Sequence, residues 1–315
     1  MNEIALYEII RNGLTIATPA IQSVVTALIT TLFLRGNTST TEFEKLKAGK
    51  IGETIDDLVK SGKMTLFELY KCRNFLQVVK LADEAAKEST SEQNKHEDFD
   101  FDWFMRFFDA VGNISNEELQ QLWSQILSSE ISRPKSCSLR TLDIVRNMSP
   151  DEALTFTTLC KFVLKSADTH FIYAYGFHDL NDGYHDCNAF IKDLGLVYSN
   201  DIAKMLEIGT VSKDSDLALY LDNSLKLPIH NDKVFCFMEN PSNETIFFKQ
   251  DAYLLTSSGI ELYNVVKNTS GFDVDIDYAI LCFKEIRKEY PPVKLTAFKI
   301  STQDIELSLD DIIEI

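Results

Sequence analysis

Apolar residues recur at helical spacing through the middle of the chain, and this pattern predicts a helical core. The first predicted helix places four phenylalanines on one face: Phe101, Phe104, Phe107 and Phe108. Asp100 or Asp102 is its predicted N-cap, because a carboxylate there accepts hydrogen bonds from the amides of the first turn. Gly112 is predicted to end the helix in the left-handed conformation.

Three further helices are predicted behind the first, with short connections between them. The second opens with Ser115 and Glu118, the Ser-x-x-Glu pattern of a capping box. Its buried stripe consists of Leu119, Leu122, Trp123, Ile126, Leu127 and Ile131. The third begins at Ser138, and the fourth covers residues 151–166 with Pro150 at its first position. Because the connections are short, we expect these helices to pack on one another. Glu130 and Arg140 are expected, at most, to form a structural ion pair within this core.

The N-terminal third carries a long uncharged stretch, Leu14 to Leu34, between Arg11 and Arg35. Its apolar stripe consists of Ile21, Val24, Val25, Leu28, Ile29 and Leu32. The stripe favours a helix buried in the protein or in an oligomer interface. A segment that inserts into a membrane and an ordinary surface helix are the two alternatives.

Two more helices are predicted over residues 42–60 and 64–88, followed by a polar linker. They carry the densest basic run of the chain, which includes Lys45, Lys47, Lys50, Lys60, Lys63, Lys71 and Arg73. A solvated helix face explains such a run. The alternative is a basic contact face, centred on the lysines from Lys45 to Lys63, for an anionic surface or an acidic partner subunit.

Past Ser149 the pattern changes to a mixture of strands and helices. Strands are predicted at 169–175, 234–238, 245–249 and 294–300, and helices at 186–194, 202–208, 260–266 and 277–289. The breaker-rich segment 239–244 is predicted to join its two flanking strands as a hairpin. The acidic tail from Asp304 is expected to pack or to dock a partner. The order "Leu-Gly-Leu-Val", hairpin, "Leu-Thr-x-x-Gly-x-Glu-Leu" resembles the layout of winged-helix proteins.

Residues 102–142 also resemble a known group of sequences. The segments concerned are Asp102-Trp-Phe-Met-Arg-Phe-Phe-Asp-Ala-Val-Gly-Asn-Ile-Ser115, Glu118-Leu-Gln-Gln-Leu-Trp-Ser-Gln-Ile-Leu-Ser-Ser-Glu130 and Ser138-Leu-Arg-Thr-Leu142. They look like an uncharacterised bacterial family that is similar to the abortive-infection alpha proteins of antiphage defence. The resemblance is specific over residues 95–165 and weaker over 40–85 and 190–265. It implies a non-enzymatic defence protein that acts through protein assembly and membrane contact, and it supplies no catalytic residues.

Together these patterns predict a mainly α fold with a smaller α+β part: an N-terminal helical arm, a central helical bundle and a winged-helix-like C-terminal half. The predicted domains are an N-terminal hydrophobic segment (1–36), a helical hairpin (37–94), a central helical core (95–166), a winged-helix-like α+β module (167–268), and a C-terminal helix, strand and acidic tail (269–315).

The charge distribution argues against nucleic acid as a partner. The net charge is −17, and residues 151–268 contain 9 basic and 17 acidic side chains. Phosphate contacts need clustered lysine and arginine, so we expect the winged-helix-like module to contact protein rather than DNA. A winged-helix transcriptional regulator is the alternative function. The expected partner is a second copy of the chain or a defence subunit, and membrane contact through residues 14–34 is the alternative. No small-molecule substrate is evident.

Chemical motifs are sparse. The six cysteines are scattered, which fits thiols in a reducing cytoplasm, and localisation is expected to be cytoplasmic, with membrane association through the hydrophobic segment. There is no phosphate-binding loop, no nucleophile elbow and no zinc-protease motif. His178, His185 and Cys187 form a metal-type cluster that lacks a second ligand pair, so we predict no metal and no cofactor. An enzyme remains a third hypothesis, if His170, His178 or His185 lies in a pocket with acidic residues.

Overall fold

The computed structural model divides the chain into two compact units, Met1–Pro150 and Asp151–Ile315. The structure describes residues 60, 62, 65–88, 100–173, 198–213, 217–250, 252–269, 271–300 and 312–313. Within these residues the fold is α+β, with eight α-helices, one eight-stranded antiparallel sheet and one two-stranded sheet. The boundary at Pro150 falls inside the predicted central core of residues 95–166.

Four helices form the described part of the first unit. They are α1 (Leu66–Glu88), α2 (Phe101–Val111), α3 (Glu117–Ser132) and α4 (Leu139–Asn147). Helix α1 packs against α2 and α3, and α2 packs against α4. The sequence predicted four helices in this order over residues 64–147, and the structure confirms their number and order.

Aromatic side chains fill the space between these helices. Phe75 of α1 meets the rings of Phe104, Phe107 and Phe108 edge-on, at centroid distances of 6.1, 6.2 and 5.3 Å. Phe107 in turn meets the Trp123 ring at 5.4 Å. Such edge-to-face pairs add to the free energy gained from burial alone. Most residues of the predicted stripes are buried, whereas Ile131 is half-buried; the buried ones are Phe104, Phe107, Phe108, Leu119, Leu122, Trp123, Ile126 and Leu127.

The helix caps agree with the sequence prediction at two positions and differ at two. Asp100 caps α2 and Ser138 caps α4. The prediction that Ser115 caps α3 is wrong: Asn116 is the N-cap, and its side chain accepts from the Leu119 amide at 2.9 Å. Gly112 is right-handed, with φ −57°, and not left-handed as predicted. A Cβ on Gly112 would lie 3.0 Å from Cβ of Lys71, so close packing of α1 explains the glycine.

In the second unit the predicted helix 151–166 is too long. Helix α5 (Pro150–Leu159) ends in a short 3₁₀ turn, Cys160–Phe162, and strand β1 (Leu164–Ser166) follows. β1 forms a tight hairpin with β2 (Thr169–Tyr173). Ala167 lies in the hairpin loop at φ 49°, and a positive φ is what two-residue hairpin loops require. A short apolar run fits a helix or a strand equally well by periodicity, which explains the error.

The remaining elements follow in chain order. Helix α6 is Tyr198–Glu207, α7 is Ser257–Val266 and α8 is Ile276–Glu289. The strands are β3 (Val211–Ser212), β4 (Leu217–Leu221), β5 (Lys226–His230), β6 (Val234–Glu239), β7 (Ile246–Gln250), β8 (Ala252–Leu255), β9 (Lys294–Lys299) and β10 (Ile312–Ile313). The large sheet has the order β10-β9-β6-β5-β1-β2-β8-β3, and β4 pairs with β7 in the small one.

The predicted hairpin around residues 239–244 is also wrong. β6 pairs with β5 and β9, whereas β7 pairs with β4, so the two strands that flank this loop belong to different sheets. The Asn240 amide donates to the carbonyl oxygens of Leu221 and Glu244, at 2.8 and 2.6 Å, and so fixes the loop beside the end of β4. The true hairpin partner of β6 is β5, which the sequence did not reveal because Pro228 interrupts its pattern.

The two faces of the large sheet differ in their cover. On one face Val234, Cys236 and Met238 of β6 are fully buried, and α8 contacts β6 and β9 there. On the other face Phe235, Phe237 and Glu239 are half-buried. We call this second face the open face. Helix α7 covers one end of the open face, because its Tyr263 packs on side chains of β1 and β2.

β9 pairs with β6 along six residues, so the strand that begins the last predicted segment (269–315) belongs to the same sheet as the predicted module 167–268. The structure does not confirm a winged helix in this module. Among the described helices, none combines the length and apolar character needed to cross a membrane. The segment 14–34 lies outside the described residues.

Candidate functional site

A row of polar side chains crosses the centre of the open face. Lys165 of β1 lies directly opposite His170 of β2 on one side and opposite His230 of β5 on the other. Residues directly opposite in antiparallel strands present their side chains on the same face. We call His170, Lys165 and His230 the His-Lys-His row. It is built by register alone, from positions up to 65 residues apart in the sequence.

The row continues into aromatic side chains on the next two strands. His230 lies opposite Phe235 of β6, and Phe235 lies opposite Phe298 of β9. The His230 and Phe235 rings are stacked, with centroids 5.3 Å apart and an interplanar angle of 13°. Phe237 follows Phe235 on the same face at a centroid distance of 4.7 Å. The open face therefore has a cationic end and an aromatic end along one line.

Tyr263 of α7 lies at the cationic end. Nζ of Lys165 is 5.0 Å from the centroid of its ring, and Nζ of Lys267 is 5.9 Å from it. The His170 ring meets it edge-on at 5.7 Å. Because α7 begins at its Thr256 cap and Gly259 packs against the Thr210 carbonyl, the helix is fixed over this end of the sheet.

One carboxylate, that of Asp232, pairs with Lys165. Nζ of Lys165 lies 3.5 Å from Oδ1 of Asp232. The Lys165 side chain is 12% exposed to solvent, and the Asp232 side chain is 50% exposed. Ion pairs with an exposed partner contribute little to stability. The cluster of two lysines and one aspartate thus carries a net positive charge, inside a unit with 14 basic and 27 acidic side chains.

The environment shifts the pKa of each titratable group in the row. Burial lowers the pKa of Lys165, and the charge of Lys267 adds to that effect against the opposing attraction of Asp232. Burial, and then the charge of Lys165, lower the pKa values of both His170 and His230. These shifts favour the neutral form of both imidazoles, and backbone hydrogen bonds to Asp168 and Asn231 oppose them.

Two polar atoms of this cluster are buried without a hydrogen-bond partner among the described residues. They are the Tyr263 hydroxyl and Nδ1 of His170. Burial raises the pKa of Tyr263 well above its ordinary value, so its hydroxyl keeps its proton and is a donor. Buried polar groups in native proteins are almost always paired, so each exception calls for an explanation, such as a water molecule or a bound ion.

The described residues hold no cluster of three or more histidine, cysteine, aspartate or glutamate side chains suited to a metal ion. Four cysteines, Cys137, Cys160, Cys236 and Cys282, are buried thiols. Burial raises the pKa of Cys236 to about 12 and also raises that of Cys160, which makes both poor nucleophiles. The chemistry at the row is therefore that of lysine, histidine and tyrosine.

Most of the residues predicted from sequence as contacts lie outside the described part of the chain: Ile21, Val24, Val25, Leu28, Ile29, Leu32, Lys45, Lys47, Lys50 and Lys63, with the cluster His178, His185 and Cys187. Lys60 is described and exposed. Lys71, from the same basic run, pairs with Asp109 at 3.1 Å. Glu130 does not pair with Arg140 as expected: it accepts hydrogen bonds from the loop after α3.

The sequence pattern singles out only His170 from the row. It predicts a helix over Lys165, and it predicts no strand around His230. The one local signal was the alternation in residues 169–173, which puts His170 and Ile172 on one face. Its neighbours across the sheet could not be read from it.

Comparison with known proteins gives a family for this chain. A family model described as a protein of unknown function (DUF2806) matches residues 60–273, more than half of the chain. The chain belongs to this family. The matched segment contains the His-Lys-His row, Tyr263 and Lys267, and it ends before Phe298. No curated protein and no solved structure matches the chain. The resemblance to abortive-infection alpha proteins therefore stays a prediction.

Proposed function

We propose that the second unit binds a compact anionic group, such as a phosphate, at the cationic end of the open face. The observation that carries this proposal is the convergence of Lys165 and Lys267 on the ring of Tyr263, where Asp232 pairs with Lys165. A bound anion would relieve the repulsion between the two ammonium groups. It would also accept a hydrogen bond from the Tyr263 hydroxyl, which has no partner among the described residues.

The charge of the whole unit favours a small anion over a polymer. With 14 basic against 27 acidic side chains, the second unit repels a long polyanion, because nucleic-acid affinity depends on many phosphate contacts at once. A single phosphate needs only the local cluster. This argument agrees with the sequence-based expectation that nucleic acid is not a partner.

Titration of the full-length protein with inorganic phosphate and pyrophosphate, followed by calorimetry, tests the proposal. Lys165→Gln should weaken binding roughly 10- to 100-fold, the value of one hydrogen bond to a charged group. Lys233→Gln is the matched control, because Lys233 is a nearby lysine paired with Asp273 at 2.5 Å. Equal affinities for the two variants, or no binding by the wild type, would refute an anion site at this place.

As the biological role, we propose a non-enzymatic antiphage protein of the abortive-infection type, in which the anion site senses a ligand and the N-terminal arm assembles or contacts membrane. The resemblance of residues 95–165 and the hydrophobic segment 14–34 support this proposal. Phage plating and host survival with and without the protein test the role. Unchanged survival during infection would rule it out.

The way in which the N-terminal arm acts needs a separate test. Flotation with lipid vesicles measures membrane contact, and light scattering in buffer measures oligomerisation. Ile29→Asp should abolish whichever of the two the segment 14–34 provides, since a charge is costly both in a bilayer and in an apolar interface. If the variant floats and assembles like the wild type, the segment serves neither purpose.

A winged-helix regulator is the second candidate. Its support is the order of elements from the strand Thr169–Tyr173 to the helix Ser257–Val266. Two predicted helices are candidates for a recognition helix. Residues 186–194 lie outside the described residues and offer one lysine against two aspartates, and α6 offers only Lys204. Absence of DNA binding at low salt, where phosphate contacts are strongest, would dispose of this candidate.

A further inference from the structure

We infer that the ligand of the second unit carries a planar ring beside its anionic group, which makes it a member of the nucleoside phosphate class. This inference rests on the proposed anion site and adds a second half to it. The geometry that points to it is the alignment of the His-Lys-His row with three phenylalanines on the same face of the sheet.

The aromatic end of the open face consists of Phe235, Phe237 and Phe298, with His230 at its border. All four side chains are half-buried, although their strands are interior strands of the sheet. On the opposite face of β6, every apolar side chain is fully buried. Half-buried phenylalanines on interior strands leave ring surface available for a stacking partner, and aromatic rings on a sheet surface are a common platform for bases.

The spacing matches the length of one nucleotide. Phe235 and Lys165 lie two strands apart, which corresponds to about 10 Å at about 4.8 Å per strand. His230 occupies the position between them and stacks on Phe235. A base placed on the phenylalanines would therefore bring a phosphate, held through its sugar, to the side of the row where Lys165 and Tyr263 meet.

The patch is bounded, which argues against a protein partner. On the same face, Lys226, Glu239 and Lys294 lie opposite one another in a charged row at the far end of β6, with Nζ of Lys226 2.6 Å from Oε1 of Glu239. The aromatic surface between the two rows comprises only a few side chains. A stable protein interface buries about 800 Å² on each partner, a much larger area than these rings provide.

A second exposed aromatic pair in the same unit lacks these features. Tyr220 and Phe247 lie opposite each other in the two-stranded sheet, with ring centroids 5.0 Å apart. They are far more exposed, at 70% and 50%, and no lysine-histidine row follows them in register. This pair supplies a matched control for substitution.

Calorimetric titration of the full-length protein with adenosine 5′-monophosphate, ribose 5-phosphate and adenosine tests the inference. We expect adenosine monophosphate to bind at least about tenfold more tightly than ribose 5-phosphate, because stacking on an aromatic side chain adds affinity. Phe235→Leu and Phe298→Leu should each remove most of this advantage, measured as the ratio of the two affinities for the same variant. Phe247→Leu should change neither.

The outcomes separate the two proposals. Equal affinities for adenosine monophosphate and ribose 5-phosphate would overturn the inference that the ligand carries a planar ring, and would leave the proposed anion site intact. Binding of neither phosphate would overturn both. A single-stranded RNA that binds more tightly with each added nucleotide would identify a polymer ligand and overturn the inference of a single nucleoside phosphate. Since the first comparison uses the wild-type protein, it decides the question even if a substitution prevents folding.

Discussion

The indole of Trp103 donates its Nε1 hydrogen to the carbonyl oxygen of Cys137 at 2.8 Å, in a buried position. The amide of Cys137 donates in turn to Oε2 of Glu130 at 3.1 Å. Both backbone polar groups of this one buried residue are therefore satisfied by side chains from two different helices, α2 and α3. This arrangement fixes the loop that leads into α4, and it explains why a tryptophan, and not another phenylalanine, occupies position 103.

Replacing each of the two tryptophans by phenylalanine should reduce stability by different amounts. Trp103→Phe leaves the Cys137 carbonyl without this donor, whereas Trp123→Phe removes a buried indole N–H that has no partner among the described residues. We expect Trp103→Phe to be the more destabilising of the two by about 1–2 kcal/mol. Urea unfolding of each variant, followed by the fluorescence of its one remaining tryptophan, measures the difference within the first unit.

Truncation of Trp123 to alanine supplies the reference for that comparison. The Trp123 side chain is fully buried, so Trp123→Ala should cost about 3–5 kcal/mol. If Trp103→Phe proves no costlier than Trp123→Phe, the hydrogen bond to Cys137 contributes nothing measurable to stability.

Substitution of Glu130 should also reduce the stability of the first unit. Its buried carboxylate accepts from the Lys135 amide, the Ser136 hydroxyl and the Cys137 amide at 2.7, 3.2 and 3.1 Å. In Glu130→Gln, the side-chain NH₂ replaces one acceptor and faces these donors, so we expect a loss of about 2–3 kcal/mol. Glu118→Gln, at an exposed position of the same helix, is the control and should change stability by less than about 0.5 kcal/mol. Equal urea midpoints for the two variants would contradict the role of Glu130.

The helices of the first unit could be predicted because their signals are local. Asp100 and Ser138 sit immediately before apolar stripes, and each caps its helix as predicted. Even there, Asn116 competes with Ser115 for the same cap, and adjacent residues of equal capping ability cannot be ranked from sequence. Gly112 was interpreted as a conformational signal, but it serves the close approach of Lys71, which depends on how two helices pack.

The candidate site could not be predicted, because it depends on register between distant strands. β1 has three residues and pairs with β5 through a single pair of positions, Lys165 and His230. No periodicity extends over so short a strand, and a shift of one residue would send Lys165 to the opposite face. The net charge of a unit likewise gives no information on local clusters: a unit with a large acidic excess still gathers two lysines around Tyr263.

A side chain at position 259 should clash with the backbone of the second unit. A Cβ at this position would lie 2.0 Å from the carbonyl oxygen of Thr210, a backbone atom that also accepts from the Thr256 amide. Because backbone must move to admit it, Gly259→Ala should cost at least about 3 kcal/mol. Ser257→Ala, at an exposed position of the same helix, is the matched control. Thermal unfolding followed by circular dichroism compares them, and similar melting temperatures would show that α7 shifts freely on the sheet.

The His-Lys-His row predicts a pH dependence with a definite sign. Burial and the Lys165 charge depress the pKa values of His170 and His230 in the folded protein below their unfolded value of about 6.5. The unfolded state then binds more protons, so stability is fully present above the unfolded pKa and is lost as pH falls through the folded values. We expect the second unit to be less stable at pH 5.5 than at pH 7.5, as measured by hydrogen exchange of β1 and β2.

Two comparisons tie this pH dependence to the row and to its ligand. His170→Gln combined with His230→Gln should flatten the dependence between pH 7.5 and 5.5, whatever the variant's stability at pH 7.5. Saturating phosphate should also flatten it in the wild type, because an anion beside the imidazoles favours their protonated forms and raises their folded pKa values. A slope that survives both changes would place the responsible groups elsewhere in the unit. A slope removed by the double substitution but unaffected by phosphate would show that the anion does not bind next to the histidines.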